Sequence, residues 1–110
     1  MLRNIVVLAL LASLLPMQFV HAQASKIVSG HVFDAQSKRG IENLEVKLKP
    51  PNNSSAPIMI GATDQNGVFR FKSVPIAVYL VEVSQGPYLL YRSEIDISKL
   101  DNIEIAVQRR

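Results

Sequence analysis

Apolar residues at every second position are the feature of this sequence that most constrains its fold. The alternation starts near Val28 and continues to Val107, interrupted by short segments rich in Pro, Gly, Asn and Ser. A period of two places successive side chains on opposite faces of a strand, whereas an amphipathic helix repeats about every 3.6 residues. No segment after the first two dozen residues shows the helical period. The sequence therefore predicts strands that each bury one face.

The alternating segments number about seven and recur roughly every ten residues, which is typical of an antiparallel sandwich. The residues expected to face the core are Val28, Gly30, Val32, Leu44, Val46, Leu48, Ile58, Ile60, Ala62, Phe69, Phe71, Tyr79, Val81, Val83, Leu89, Tyr91, Ile95, Ile97, Ile103, Ile105 and Val107. The predicted fold class is all-β, an antiparallel Greek-key β-sandwich of about seven strands.

Two apolar residues break this alternation in the fifth predicted strand. Val78 and Leu80 fall on the side that should face solvent, which indicates either a central strand covered by a loop or a partner-binding patch. Tyr88 and Tyr91 flank the next turn, where aromatic rings could stack on a sugar or simply cap the core. These four residues are the candidate partner contacts, for an unidentified protein or for a glycan.

The first residues have the layout of a cleavable export signal. Arg3 supplies a positive charge, residues 5–15 form an apolar run, and Pro16 ends it. Small residues at the required spacing fit cleavage after Ala22, or after Ala24. The alternative is a retained membrane anchor, but a bilayer requires about 20 predominantly apolar residues and this run is shorter.

We therefore expect a signal peptide over residues 1–22 and one β-sandwich domain over residues 23–110. Charges interrupt every later apolar stretch, so no membrane span is expected after cleavage. The chain contains no cysteine, which excludes disulfides, thiolate metal sites and a lipid-anchored lipoprotein. For an exported chain this favours a bacterial periplasmic or secreted protein.

Charged and nucleophilic residues give little support for nucleic-acid binding or catalysis. The 12 Lys and Arg are interspersed with the 9 Asp and Glu and form no basic patch. His31 is the only histidine after the predicted signal, and Asp34 points to the opposite face of the same strand. A calcium site at Asp64 and Asn66 lacks the spacing of an EF-hand, so a turn is favoured. We expect no catalytic, metal or cofactor-binding residues and no enzymatic activity.

Particular residues, beyond the alternation, resemble the carboxypeptidase regulatory-like domain, a prealbumin-like sandwich. The segments that carry the resemblance are residues 30–34, 40–48, 62–71 and 74–83. Gly40 stands where that family usually has Pro, and Ala77 where it usually has Gly. Asp64 can accept backbone hydrogen bonds in the turn that Gly67 completes, and Tyr79 can bury its ring while its hydroxyl reaches the backbone.

Domains of that family usually belong to larger peptidases, receptors or surface proteins, where they assist folding or recognition. The resemblance implies an exported, non-catalytic module for protein–protein interaction or structural support. A carbohydrate-binding module is the alternative.

Two sharper hypotheses rest on related sandwiches. His31 superficially resembles a site residue of the transthyretin-related 5-hydroxyisourate hydrolases, but Val68 stands where that family has Arg and no second late histidine follows. Lys26 and Asn102 lie about where a Lys–Asn isopeptide bond forms in pilus and adhesin domains. Val83 stands where those domains have Glu. Both are minor alternatives.

Overall fold

The computed structural model describes residues 24–52, 54–100 and 102–108. The predicted signal peptide, residues 1–22, lies outside them. Seven strands form the regular structure of the described residues, which confirms the predicted all-β class. In chain order they are β1 (Ser25–Asp34), β2 (Glu45–Lys49), β3 (Met59–Ala62), β4 (Val68–Pro75), β5 (Val78–Gln85), β6 (Tyr88–Asp96) and β7 (Asn102–Val107).

The strands form two sheets that pack face to face. The three-stranded sheet has the order β4-β1-β7, and the four-stranded sheet has the order β3-β2-β5-β6. Neighbouring strands are antiparallel except β1 and β7, which run parallel from the Ser29–Asn102 pair to the Asp34–Val107 pair. The sequence predicts an antiparallel sandwich and misses this pair. β7 reaches β1 by crossing over from the other sheet, and a crossover permits parallel pairing where a tight hairpin does not.

The core lies between the two sheets and consists of the inward-facing residues of both. The buried apolar side chains are Val28, Val32, Ile41, Leu44, Val46, Leu48, Phe69, Phe71, Val74, Tyr79, Val81, Val83, Ile95, Ile97, Ile103, Ile105 and Val107. The period-two pattern therefore predicts the buried face correctly in β1, β2, β4, β5 and β7. β3 and the first half of β6 differ from the prediction.

In β3 the predicted inward and outward faces are exchanged. Ile58 is 49% exposed and Ile60 is 60% exposed, whereas Met59 packs against the core. A β-carbon at Gly61 would lie 3.2 Å from the ring of Phe71, so this strand faces a bulky neighbour across the sandwich. Glycine fits beneath that ring and isoleucine does not, which turns Ile60 to the outer surface.

In β6 a bulge changes the face on which side chains lie. Ser84 pairs with Leu89, but Val83 pairs with Tyr91, so Leu90 is an extra residue in β6. An extra residue shifts the alternation by one position. Leu89 is consequently exposed, although it was predicted to be buried, while Leu90 and Tyr91 are half-buried against the core.

The Asp64 turn makes the backbone hydrogen bonds that the sequence predicts, but it does not set a register between β3 and β4, because these strands lie in different sheets. The Asp64 carboxylate accepts hydrogen bonds from the backbone N–H of Asn66 (2.8 Å) and Val68 (2.9 Å). Gly67 completes the turn at a φ of 81°, which glycine adopts without strain. A β-carbon at Gly40 would overlap the Asn66 carbonyl. A larger residue at position 40 would therefore clash with this turn unless the backbone shifted.

The Tyr79 ring is buried in the core, and its hydroxyl donates a 2.7 Å hydrogen bond to the Pro75 carbonyl. Both parts of the prediction for Tyr79 are confirmed. The bond ties the start of β5 to the end of β4, and therefore joins the two sheets at one end of the sandwich.

Candidate functional site

The outer face of the four-stranded sheet carries an ionic cluster centred on Glu82. Its carboxylate lies 3.0 Å from the Lys49 ammonium on β2 and 3.4 Å from Arg92 Nε on β6. The Glu82 side chain is only 12% exposed, because its two cationic neighbours cover it from either side. Pairing in this partly desolvated position is stronger than between fully exposed charges.

Beside this cluster lies a recess with an apolar floor. Its volume is about 440 Å³, and it is lined by Lys49, Pro51, Asn52, Val78, Tyr79, Leu80, Arg92 and Glu94. Val78 is 44% exposed and Leu80 is half-buried. The loop after β2 forms one wall through Pro51 and Asn52. The structure thus brings the predicted contacts Val78 and Leu80 together, partly covered by a loop and still open to solvent.

A second, smaller recess lies at the β5–β6 turn. It has a volume of about 240 Å³ and is lined by Gln85, Gly86, Tyr88 and Leu90. Tyr88 is 61% exposed, whereas Tyr91 packs against the core. The structure therefore does not bring the two predicted tyrosines to one surface. This recess and the recess at Val78 and Leu80 lie toward opposite ends of β5, whose end residues Val78 and Gln85 are roughly 23 Å apart along the strand.

His31 belongs to the outer face of the three-stranded sheet. Its Nδ1 lies 3.3 Å from a Glu104 carboxylate oxygen, and its ring stacks on Phe33 with a centroid distance of 5.3 Å. Asp34 accepts backbone hydrogen bonds from Gln36 (2.8 Å) and Ser37 (3.0 Å), which is a turn-forming role. Neither of these two contacts of His31 involves a serine or an arginine. The residue opposite His31 in β4 is Val68. The contacts of His31 are those of a cross-strand pair.

The carboxylate of Asp64 is likewise engaged in its turn. Backbone hydrogen bonds from Val68 and Asn66 lower the pKa of this carboxyl below its ordinary value of 3.8. In Asp96 the hydroxyl and the backbone N–H of Ser98 lower the pKa in the same way. Within the described ranges no group of three or more His, Cys, Asp or Glu side chains is placed to hold a metal ion.

Lys26 and Asn102 do not form the pair that an isopeptide bond requires. The Lys26 ammonium donates a 2.6 Å hydrogen bond to the Ile97 carbonyl, across to the turn after β6. Asn102 is exposed and pairs in register with Ser29. The isopeptide hypothesis for these two residues is therefore wrong, because the bond needs both side chains in the core.

Sequence reasoning missed Glu82 and the loop residues Pro51 and Asn52. Glu82 lies between the buried residues Val81 and Val83, so the alternation places it on the outer face with Leu80, and the sequence gives no further signal. Its pairing with Arg92 depends on the register of the β5–β6 hairpin, and its pairing with Lys49 on the register of β5 with β2, which is distant in sequence. No helix of the described residues is long and apolar enough to cross a membrane.

Solved structures with the same fold come from a bacterial pilin. A variant of BcpA, the major pilin subunit of Bacillus cereus, superposes with a TM-score of 0.60 at 18% identity, over 78% of this chain and 30% of the pilin. Another BcpA structure gives a TM-score of 0.58 at 16% identity, over 79% and 31%. This chain therefore spans about a third of the pilin's length. No curated protein matches the sequence significantly.

One family model covers nearly the whole sandwich. It is described as BOS complex subunit NOMO1-like, second beta sandwich domain, and it matches residues 27–109. This range contains β2 to β7 and most of β1. The match supports the sequence resemblance at the level of a β-sandwich domain, and the carboxypeptidase regulatory-like assignment stays a prediction. The chain belongs to the NOMO1-like second β-sandwich domain family.

Proposed function

We propose that this chain is an exported, non-catalytic β-sandwich module that binds a protein partner through the Val78–Leu80 recess. One observation carries the proposal. Val78 and Leu80 form an apolar floor beside outward residues of β2 and β5 that are charged or polar: Glu45, Lys47, Lys49, Glu82 and Ser84. A concave apolar surface rimmed by charges has the composition of a protein interface, with a desolvated centre and a polar rim.

The charged rim would orient the partner, and the apolar floor would supply affinity. Lys49 and Arg92 already share the Glu82 carboxylate, so they are held in place before a partner arrives. Held side chains lose less conformational entropy when a partner binds. Glu94 lines the same recess and adds a negative charge. These charges favour a partner that places negative groups opposite Lys49 and Arg92 and a positive group opposite Glu94.

The family description supports a protein partner, since it names a subunit of a complex. The proposal includes removal of residues 1–22 as an export signal and a periplasmic or secreted location, on the layout of Arg3, the apolar run and the small residues before Ala22. It also includes the carboxypeptidase regulatory-like assignment, which the turn at Asp64 and the Tyr79 hydroxyl bond support.

The proposal is tested by affinity capture from the native compartment with quantitative mass spectrometry. Val78→Asp and Leu80→Asp place a charge on the apolar floor, and we expect each to reduce a captured partner at least tenfold. Leu89→Asp is the matched control, because Leu89 is exposed at the far end of the same sheet. Circular dichroism checks that every variant is folded. Equal capture by all variants would refute this binding site.

Tyr88 supports a second candidate, binding of a glycan. Its ring is exposed beside a recess that contains polar Gln85, and aromatic faces with nearby polar groups stack on sugars. We expect Tyr88→Ala to abolish any signal on a glycan array, while Leu80→Asp leaves that signal unchanged. An array without any bound glycan would remove this candidate.

A further inference from the structure

The turn between β3 and β4 contains a dipeptide with intrinsic chemical reactivity, Asn66 followed by Gly67. In such a pair the backbone nitrogen of the glycine can attack the side-chain carbonyl carbon of the asparagine. Glycine has no side chain to hinder the attack and lets the backbone reach the conformation that it needs. The other asparagines of the described residues, Asn43, Asn52 and Asn102, precede Leu, Asn and Ile, whose side chains hinder the same attack.

We propose that Asn66 is a site of spontaneous deamidation that the folded turn suppresses. In the first step the Gly67 N–H loses its proton to a solvent base, and its nitrogen forms a bond to Asn66 Cγ. The Cγ–Nδ2 bond breaks, ammonia leaves, and a five-membered cyclic imide remains. Water then adds to one of the two imide carbonyl groups and opens the ring. Opening at Cγ gives aspartate, and opening at the backbone carbon gives isoaspartate, in which the chain continues through Cγ.

Hydrogen bonds within the turn oppose the first step. The Gly67 N–H donates a 2.9 Å hydrogen bond to the Asp64 carbonyl. A donated hydrogen bond stabilises the protonated amide, so it disfavours the loss of the proton that must precede attack. The N–H groups of Asn66 and Val68 donate to the Asp64 carboxylate at 2.8 and 2.9 Å. Asp64 therefore holds the reactive nitrogen and the residues on both sides of it.

The backbone conformation at Asn66 also directs the nitrogen away from its target. Asp64 to Gly67 form a hydrogen-bonded β-turn, and Asn66 is not among the residues with positive φ, which identifies a type I turn. In this turn the third residue has ψ of about 0°. That angle places the Gly67 nitrogen on the side of the Asn66 amide nitrogen, whereas the imide ring requires it on the side of the β-carbon. The peptide unit must rotate before the ring can close.

Packing against this peptide unit resists the rotation. A β-carbon at Gly40 would overlap the Asn66 carbonyl, so the two backbones are in direct contact. The Gly67 carbonyl accepts a 2.8 Å hydrogen bond from the Val32 N–H. The Asn66 side chain itself is exposed, so water and base reach it in the folded protein. The turn therefore suppresses the reaction through geometry and not through exclusion of water.

Deamidation would make an opening of the turn irreversible. Isoaspartate adds one methylene group to the backbone between Asn66 and Gly67, and the contact with Gly40 leaves no room for it. Aspartate places a second carboxylate in the turn beside Asp64. The rate of modification consequently reports how often this part of the sandwich opens, as local opening does in hydrogen exchange. The reaction needs no partner, so it does not depend on binding at the recess.

Peptide mapping by mass spectrometry tests the proposal on protein produced from the full sequence, incubated at mildly alkaline pH with and without denaturing urea. Deamidation exchanges an amide NH₂ for a hydroxyl, which changes the mass, and chromatography separates isoaspartate from aspartate. We expect Asn66 to be deamidated at least tenfold faster in urea than in the folded protein, and Asn102 to stay largely unmodified in both. Equal rates at Asn66 in both conditions would overturn the proposal, as would an unreactive Asn66 in urea.

A pair of variants tests whether the turn itself provides the protection. Asp64→Ala removes the two hydrogen bonds to its carboxylate, and we expect deamidation of Asn66 in the folded variant to be several times faster. Asp96→Ala is the matched control, because the Asp96 carboxylate likewise holds a turn, through the Ser98 N–H at 3.0 Å and its hydroxyl at 2.6 Å. Circular dichroism checks that both variants are folded. Equal acceleration in both would show that global unfolding controls the reaction, which contradicts protection by the turn.

Discussion

Thr63 is the polar residue that the described core buries, and its hydroxyl is fully used. It donates to the Ile41 carbonyl at 2.6 Å and accepts from the Leu44 N–H at 2.9 Å. Thr63→Val keeps the shape and leaves both backbone groups without this partner. We expect the free energy of unfolding, measured by urea denaturation, to fall by about 1–3 kcal/mol. Thr63→Ser keeps the hydroxyl and should cost only about 1 kcal/mol for the lost methyl group. A Val variant as stable as the unchanged protein would contradict this role.

Asp64 should make stability depend on pH in the acid range. Its pKa is lower in the folded protein than the ordinary 3.8, because the charged carboxylate accepts backbone hydrogen bonds from Val68 and Asn66. A lowered folded-state pKa gives stability that is complete above the ordinary value and is lost as pH falls through the folded-state value. We expect urea midpoints to drop below about pH 4, and Asp64→Asn to reduce that drop. Part of the drop should remain in Asp64→Asn, because the pKa of Asp96 is also lowered in the folded protein. An identical pH profile for Asp64→Asn would exclude the contribution.

At the scale of the strands, Glu82 joins β2, β5 and β6 across the outer face of the four-stranded sheet. Glu82→Gln leaves Lys49 and Arg92 beside each other without the carboxylate that they share. Both cations are partly exposed, so we expect a loss of about 1 kcal/mol in the free energy of unfolding. The loss should shrink in 1 M salt, where the screening length is about 3 Å. Glu94→Gln, on exposed β6, is the matched control and should change stability by less than about 0.5 kcal/mol. An equal loss in both variants would contradict the shared pairing.

Most strands could be predicted from the sequence because one buried face imposes alternation, and Val28, Phe69, Val81 and Ile105 follow it. The inward face of β3 could not, because it depends on the fit between Gly61 and the Phe71 ring, which alternation does not encode. Leu89 was predicted to be buried and is exposed, because the bulge in β6 is also not encoded by the alternation.

The bulge at Leu90 shifts the alternation without leaving a recognisable residue type in the sequence. The candidate site was predictable only in part. Val78 and Leu80 could be identified because they interrupt the alternation. The Pro51 wall and the Glu82–Lys49 pair depend on the pairing of β2 with β5, which is distant in sequence, and the Glu82–Arg92 pair depends on the register of a bulged hairpin.

For the whole molecule, one continuous core implies one unfolding transition. The inward residues of both sheets form a single cluster, with no separate core in the described residues. A single domain of this size usually unfolds in a two-state manner. We expect far-ultraviolet circular dichroism and near-ultraviolet tyrosine signals, to which buried Tyr79 contributes, to give the same urea midpoint. Midpoints that differ beyond experimental error would show that the two sheets separate before they unfold.

The parallel pairing of β1 and β7 determines how this module would respond to mechanical load. Because the two strands run in the same direction, Ser25 and Val107 lie at opposite ends of the pair. A pull on these two residues slides one strand along the other. Every bridge between the strands is then strained at once, and none can open before the others as in the peeling of a hairpin. Rupture under tension depends on the unfolding rate and not on equilibrium stability. The sandwich is therefore suited to transmit tension along its length.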